Sequence, residues 1–246
     1  MKRLLLPLLC LLWLLACGPA ETDADETAAG QIAPATTEAP AAPAIQLDRF
    51  ESTIRAYESA DSAQAVAKGE VLFTGSSSIY FWRSLKEDMA PMAVHNRGFG
   101  GSTIPEVIHY ADRIIFPYEP SIILLYCGEN DIAAGATATE SFESFKQFVA
   151  MVEARLPQTR IAFLAMKPSV ARWELWPQYQ EANRMIKDFI SQQEKLDYIA
   201  VDAPMLYADG MVDSTIFVKD MLHMNAEGYK RWTAVVKPYL TKQLQK

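Results

Sequence analysis

Cysteine and histidine are both scarce in this chain, and basic residues are outnumbered by acidic ones. Of 246 residues three are Cys and three are His, and 23 Lys and Arg stand against 30 Asp and Glu, a formal net charge of −7. Cys10 and Cys17 both lie near the N-terminus, so only Cys127 is left for the body of the chain and no internal disulfide can staple it. Charges of both signs are scattered, leaving no basic stripe to neutralise phosphates and speaking against nucleic acid as a partner. No cluster of His, Cys and carboxylates has the spacing of a metal centre. A GxxxxGK loop is missing too, and Gly98-Phe99-Gly100-Gly101 lacks the third glycine of a dinucleotide fingerprint. No metal, nucleotide or other cofactor is expected.

What is present begins with an export signal. Lys2 and Arg3, the leucine-rich run Leu4 to Leu15 and the small Ala16 before Cys17 have the make-up of a secretory signal over residues 1–16. The run is shorter than the roughly 20 residues of a membrane span. Leu14-Leu15-Ala16-Cys17-Gly18 resembles a bacterial lipobox, which implies that Cys17 is acylated and becomes the new N-terminus. Each buried methylene is worth roughly 0.8 kcal/mol, so two or three acyl chains would hold the protein on a bilayer. Gly18 where an inner-membrane lipoprotein carries Asp implies, by the same resemblance, an outer-membrane location facing the periplasm. Residues 17–46 are rich in Ala, Pro, Thr, Glu and Asp and nearly free of large apolar side chains, the composition of a flexible tether. The folded domain is expected over residues 47–246.

Within that domain a helix carrying Phe50, Ile54 and Tyr57 precedes alternating strands and helices. Strands are predicted at Val71–Thr74, Ala93–Asn96, Ile122–Cys127, Ile161–Met166 and Tyr198–Val201, with helices near 139–155 and 177–193. A final amphipathic helix follows Asn225 and carries Tyr229, Trp232, Val236 and Leu240. Uninterrupted apolar strands alternating with helices predict a parallel sheet covered on both faces, a three-layer α/β/α domain. In such sheets ligands bind beyond the carboxyl ends of the strands. Three polar clusters fall there: Gly75 to Ser78, Gly98 to Ser102 and Gly128 to Asp131.

A serine nucleophile needs a base, a group that orients the base, and donors for the developing oxyanion. The three histidines can be sorted one by one. His95 lies inside the second strand and reads as a packed residue. His109 lies late in a helix returning to the opposite edge of the sheet, which makes the nearby Asp112 a surface partner. His223 follows Asp220 by three residues just before the last helix, a spacing that lets the carboxylate fix one imidazole nitrogen and free the other. Alone, that pair reads equally well as a solvated Asp and a capping His.

Taken together, the blocks resemble the SGNH (GDSL-like) serine hydrolases. Phe73-Thr74-Gly75-Ser76-Ser77 resembles the first block, Asn96 to Ser102 the second, Gly128-Glu129-Asn130-Asp131 the third and Asp220 to His223 the last. The resemblance covers roughly residues 71–223 in family order. It implies the SGNH fold with five parallel strands in the order 2-1-3-4-5. It also implies Ser77 as nucleophile, Asp220 and His223 as its partners, and an oxyanion hole of the Ser77 and Gly101 N–H groups with the Asn130 side chain. Ser76 replaces the usual Asp before the nucleophile, and Met224 stands where proline is frequent; neither removes a reacting group.

The expected activity is hydrolysis of carboxylic esters, acyl or O-acetyl, through an acyl-serine. The rival is a catalytically silent, lipid-anchored protein that binds acylated ligands in the same cleft. Arg172, Trp173 and Trp176, in the loop after the fourth strand, are candidate walls of a substrate pocket, with aromatic packing beneath the loop the equal alternative.

Overall fold

The computed structural model of the protein describes residues 48–63 and 66–245. The expected signal peptide, the Cys17 acylation site and the tether to residue 46 lie outside the described residues. In chain order the elements are α1 (Glu51–Ala63), β1 (Val71–Gly75), α2 (Ser77–Tyr80), α3 (Leu85–Met89), β2 (Val94–Gly98), α4 (Ile104–Ile114) and β3 (Ile122–Tyr126). They continue with α5 (Glu129–Ala133), α6 (Ala138–Arg155), β4 (Arg160–Leu164), α7 (Trp176–Ile190), β5 (Leu196–Ile199) and α8 (Ala226–Leu244).

The strands form one sheet in the order β2-β1-β3-β4-β5, every neighbouring pair parallel. Successive side chains leave opposite faces of a strand, so each apolar run feeds two cores. Leu72, Ile123, Leu125, Ile161 and Phe163 join a cluster with residues of α1, α4, α6 and α7. Phe73, Leu124, Tyr126, Ala162 and Leu164 join a second cluster with Ile79 of α2, Leu85 and Met89 of α3 and the inner face of α8. This is the three-layer α/β/α architecture, with the strand order of the SGNH hydrolase fold.

The topology decides where a ligand can bind. From β1 the chain moves outward to β2 through α2 and α3, then returns across β1 to β3 through α4 on the other face. The order reverses between β1 and β3, and the crevice at their carboxyl ends follows from that reversal. Register puts Gly75 beside both Gly98 and Tyr126, so the loops after β1, β2 and β3 start at one level. Only glycine fits at that level: φ at Gly75 is +117°, and a Cβ would lie 1.9 Å from the Tyr126 carbonyl oxygen.

Element boundaries shift by one or two residues. β2 runs on to Gly98 and β5 begins at Leu196. Arg97 can sit inside β2 because Asp61 pairs with it at 2.5 Å and its guanidinium lies over the Tyr57 and Tyr118 rings. Among the described residues no helix is long and apolar enough to cross a membrane.

Candidate active site

The three consecutive serines after β1 are separated by their surroundings. All three are buried, Ser77 the least at 6% exposure, and it is the Ser77 Oγ, at the first turn of α2, that lies 2.9 Å from His223 Nε2. His223 reaches it from the loop before α8. That loop is shaped locally: Asp220 Oδ1 accepts the N–H groups of Leu222 and His223, both at 2.9 Å, while Met221 between them takes a left-handed φ of 57°. Such a conformation costs a non-glycine residue roughly 1 kcal/mol or more. It is held by the Met221 N–H on the Val218 carbonyl and the Val218 N–H on the His223 carbonyl, at 2.9 and 2.8 Å. Asn225 then caps α8 through Glu227 and Gly228 N–H.

Asp220 Oδ2 lies 2.6 Å from His223 Nδ1. Partial burial acts to raise the Asp220 pKa, but the His223 ring and the two backbone N–H groups outweigh it and bring the pKa down to about 2. The carboxylate therefore stays charged throughout any working pH range, fixing Nδ1 as the protonated nitrogen and leaving Nε2 to face Ser77. Phe81 sets its ring edge-on to His223, centroids 5.0 Å apart.

The two other loops meet beside this relay. Asn130, in the first turn of α5, donates from Nδ2 to the Ser102 carbonyl at 3.0 Å, and Cys127 Sγ contacts the same oxygen at 3.3 Å. This ties the end of β3 to the turn that carries Gly101, whose φ is +82°. The Gly101 carbonyl accepts Arg49 Nη2 at 3.0 Å, and Arg49 also pairs with Glu106, whose carboxylate caps the Thr103 N–H at 2.8 Å.

Residues not singled out from sequence lie directly beneath. Lys167, one step past the apolar run of β4, is 1% exposed. Its Nζ donates to the Leu222 carbonyl at 3.0 Å and stands 3.7 Å from Glu129 Oε2, which also receives the Tyr126 hydroxyl. Burial pushes the Lys167 pKa down, against the pull of Glu129. The one sequence signal was a lysine continuing an otherwise apolar strand. The next residues continue the linkage, with the Ala171 N–H on the Met221 carbonyl at 3.0 Å.

Of the proposed pocket walls, Arg172 donates from Nη1 to Asn130 Oδ1 at 2.9 Å. Trp176 is 6% exposed within the core of the α7 face, and Trp173 packs against the same core. Both tryptophans thus take part in the aromatic packing beneath the loop that was the equal alternative, Trp176 as the first residue of α7. His95 Nε2 lies 2.9 Å from Glu70 within β2, and Asp112 pairs with Arg155 on the surface. Among the described residues no group of three or more His, Cys, Asp or Glu could hold a metal ion.

Asp131, next to Asn130, is 6% exposed and accepts the Ile104 N–H at 3.1 Å, capping α4. Burial raises its pKa to about 7, against the Ile104 N–H and with help from Glu106. Its ordinary pKa is 3.8, so between roughly pH 4 and 7 the unfolded chain has released a proton that the folded chain keeps, and this group's contribution to stability falls as pH rises. Asp131→Asn removes that slope. Thermal melts of both proteins at pH 5 and pH 8 are expected to show wild-type Tm dropping relative to the variant by roughly 5 °C; parallel Tm changes would mean that Asp131 is ionised throughout.

Comparison with known proteins bears on the family and the fold. The profile of the GDSL-like lipase/acylhydrolase family matches residues 67–231. The alpha1 subunit of platelet-activating factor acetylhydrolase IB from Bos taurus is 24% identical over 168 residues, covering 65% of this chain and 70% of the relative. A structure from Streptococcus pneumonia, described as a platelet activating factor, superposes with a TM-score of 0.69 at 20% identity, over 79% of this chain and 94% of the other. A GDSL-like lipase from Bacteroides thetaiotaomicron gives 0.66 at 17% identity, over 78% and 98%. The profile spans more than half of the sequence and takes in all three loops around Ser77 together with the His223 loop, and by that match the chain belongs to the GDSL-like lipase/acylhydrolase family.

Proposed function

We propose that the protein hydrolyses carboxylic esters through an acyl-enzyme on Ser77. The observation that carries this reading is the relay from Ser77 Oγ to His223 Nε2 at 2.9 Å and from His223 Nδ1 to Asp220 at 2.6 Å. Ser77 Oγ attacks the ester carbonyl carbon while His223 Nε2 takes its proton. The Ser77 and Gly101 N–H groups and Asn130 Nδ2 receive the oxyanion. Collapse breaks the bond to the alkoxy oxygen, which leaves as the alcohol with the proton from His223. Water, deprotonated by the same nitrogen, then attacks the acyl-serine, releasing the carboxylic acid and restoring Ser77. Asp220 keeps its charge down to about pH 2, so the group that orients His223 stays a carboxylate wherever the enzyme is assayed.

Membership in an acylhydrolase family supports ester cleavage, and the relative that carries the name acetylhydrolase makes acetyl esters the first class to try. The lipobox at Cys17 supports placing the activity on the cell envelope, tethered to the bacterial outer membrane on its periplasmic side.

A fluorophosphonate probe is expected to label the protein at one equivalent, with peptide mass mapping placing the adduct on Ser77. p-Nitrophenyl acetate is expected to be turned over faster than long-chain esters. A protein that takes no label and turns over no ester is instead the silent binder of acylated ligands.

A further inference from the structure

We propose that Arg172 is a positioning residue that acts through Asn130, holding the side-chain amide so that Nδ2 faces the reacting carbonyl. The inference rests on the reading of Asn130 as an oxyanion donor and adds the group that orients it. Only the direction of its amide makes an asparagine a donor at a given point, because the oxygen and nitrogen ends have nearly the same shape.

Here the two ends meet partners of opposite character. Oδ1 accepts from Arg172 Nη1 at 2.9 Å, and Nδ2 donates to the Ser102 carbonyl at 3.0 Å. Turning the amide over would set its NH2 against a guanidinium, which has no acceptor, and its oxygen against a carbonyl, which has no donor. Both contacts would turn repulsive. The Ser102 carbonyl and Arg172 therefore hold the same direction from opposite ends, and Arg172 is the one of the two that a substitution can remove. Arg172 has no carboxylate within ion-pair distance among the described residues, and it lies near the hydroxyl of Tyr179, which donates to the Glu129 carbonyl at 3.2 Å. Its guanidinium thus meets the amide of Asn130 on α5 beside Tyr179 of α7. A cation on Oδ1 also polarises the amide and strengthens the remaining Nδ2–H as a donor to an oxyanion.

The test is a double-mutant cycle on the full chain with p-nitrophenyl acetate. Arg172→Met, which keeps the aliphatic stem, and Arg172→Ala are each expected to lower kcat by roughly tenfold with KM within about twofold, part of the 10²- to 10³-fold that a lost oxyanion donor costs. Arg172→Lys, which retains a cationic donor, is expected to recover part of the loss. In an Asn130→Ala background, Arg172→Met is expected to change kcat less than twofold. An equal loss from Arg172→Met in both backgrounds, or an effect on KM alone, would make Arg172 a substrate contact and overturn the proposal while leaving Asn130 as a donor. An Asn130→Ala variant with wild-type kcat would overturn both together.

Discussion

Ser77→Ala is expected to lower kcat for p-nitrophenyl acetate by at least about 10⁴-fold while leaving the melting temperature within a few degrees of wild type. The size follows from the chemistry: without Oγ no acyl-enzyme forms, and the oxyanion donors alone act on direct attack by water. The small change in stability follows from the surroundings, since the Ser77 side chain makes one hydrogen bond, to His223. Steady-state kinetics with a parallel melt checks both. A variant retaining more than a tenth of the activity would move the nucleophile away from Ser77, against the geometry, because the relay touches neither Ser76 nor Ser78.

Lys167→Met is expected to cost about 3–5 kcal/mol of stability, the usual cost of breaking a buried ion pair by removing one partner. In a domain of this size that is a fall in Tm of roughly 10 °C. The double variant Lys167→Met with Glu129→Gln is expected to regain most of that stability, because no lone buried carboxylate is left. It is not expected to regain kcat. The Leu222 carbonyl loses the ammonium that meets it at 3.0 Å in either variant, and Leu222 adjoins His223. Chemical denaturation and kinetics on the single and double variants separate the two effects. Equal recovery of stability and rate would mean that Lys167 serves the fold alone.

Much of this was legible in the sequence for a physical reason. The strands of a parallel sheet are buried on both faces, so they appear as unbroken apolar runs, and the loops that follow carry the polar clusters. The order β2-β1-β3 then brings Ser77, the Gly101 turn and Asn130 to one edge. The three-residue spacing of Asp220 and His223 allowed their hydrogen bond, and the resemblance of the blocks, not the spacing, implied its role. Lys167 was not, since its partners Leu222 and Glu129 lie 55 and 38 positions away and its burial depends on tertiary packing. For Trp176 the sequence left pocket wall and core packing equal, because a loop leaving the carboxyl edge can point either way and periodicity does not distinguish the two. Arg172 was placed near the site by the same loop argument, but its contact with Asn130 Oδ1 depends on a kink at its own backbone, where φ is −131° and ψ 32° amid two tight turns.

The bond from Arg49 to the Gly101 carbonyl bears on where the N-terminus of a shortened form can be cut. Arg49 precedes α1 and stands close to where the tether was expected to end. Trimming the chain at the first turn of α1 for expression would remove a guanidinium that braces the Gly101 turn and neutralises Glu106, itself 2% exposed. A shortened version of the protein should retain the two or three residues ahead of that helix, because Arg49 belongs to the folded edge that carries the Gly101 turn.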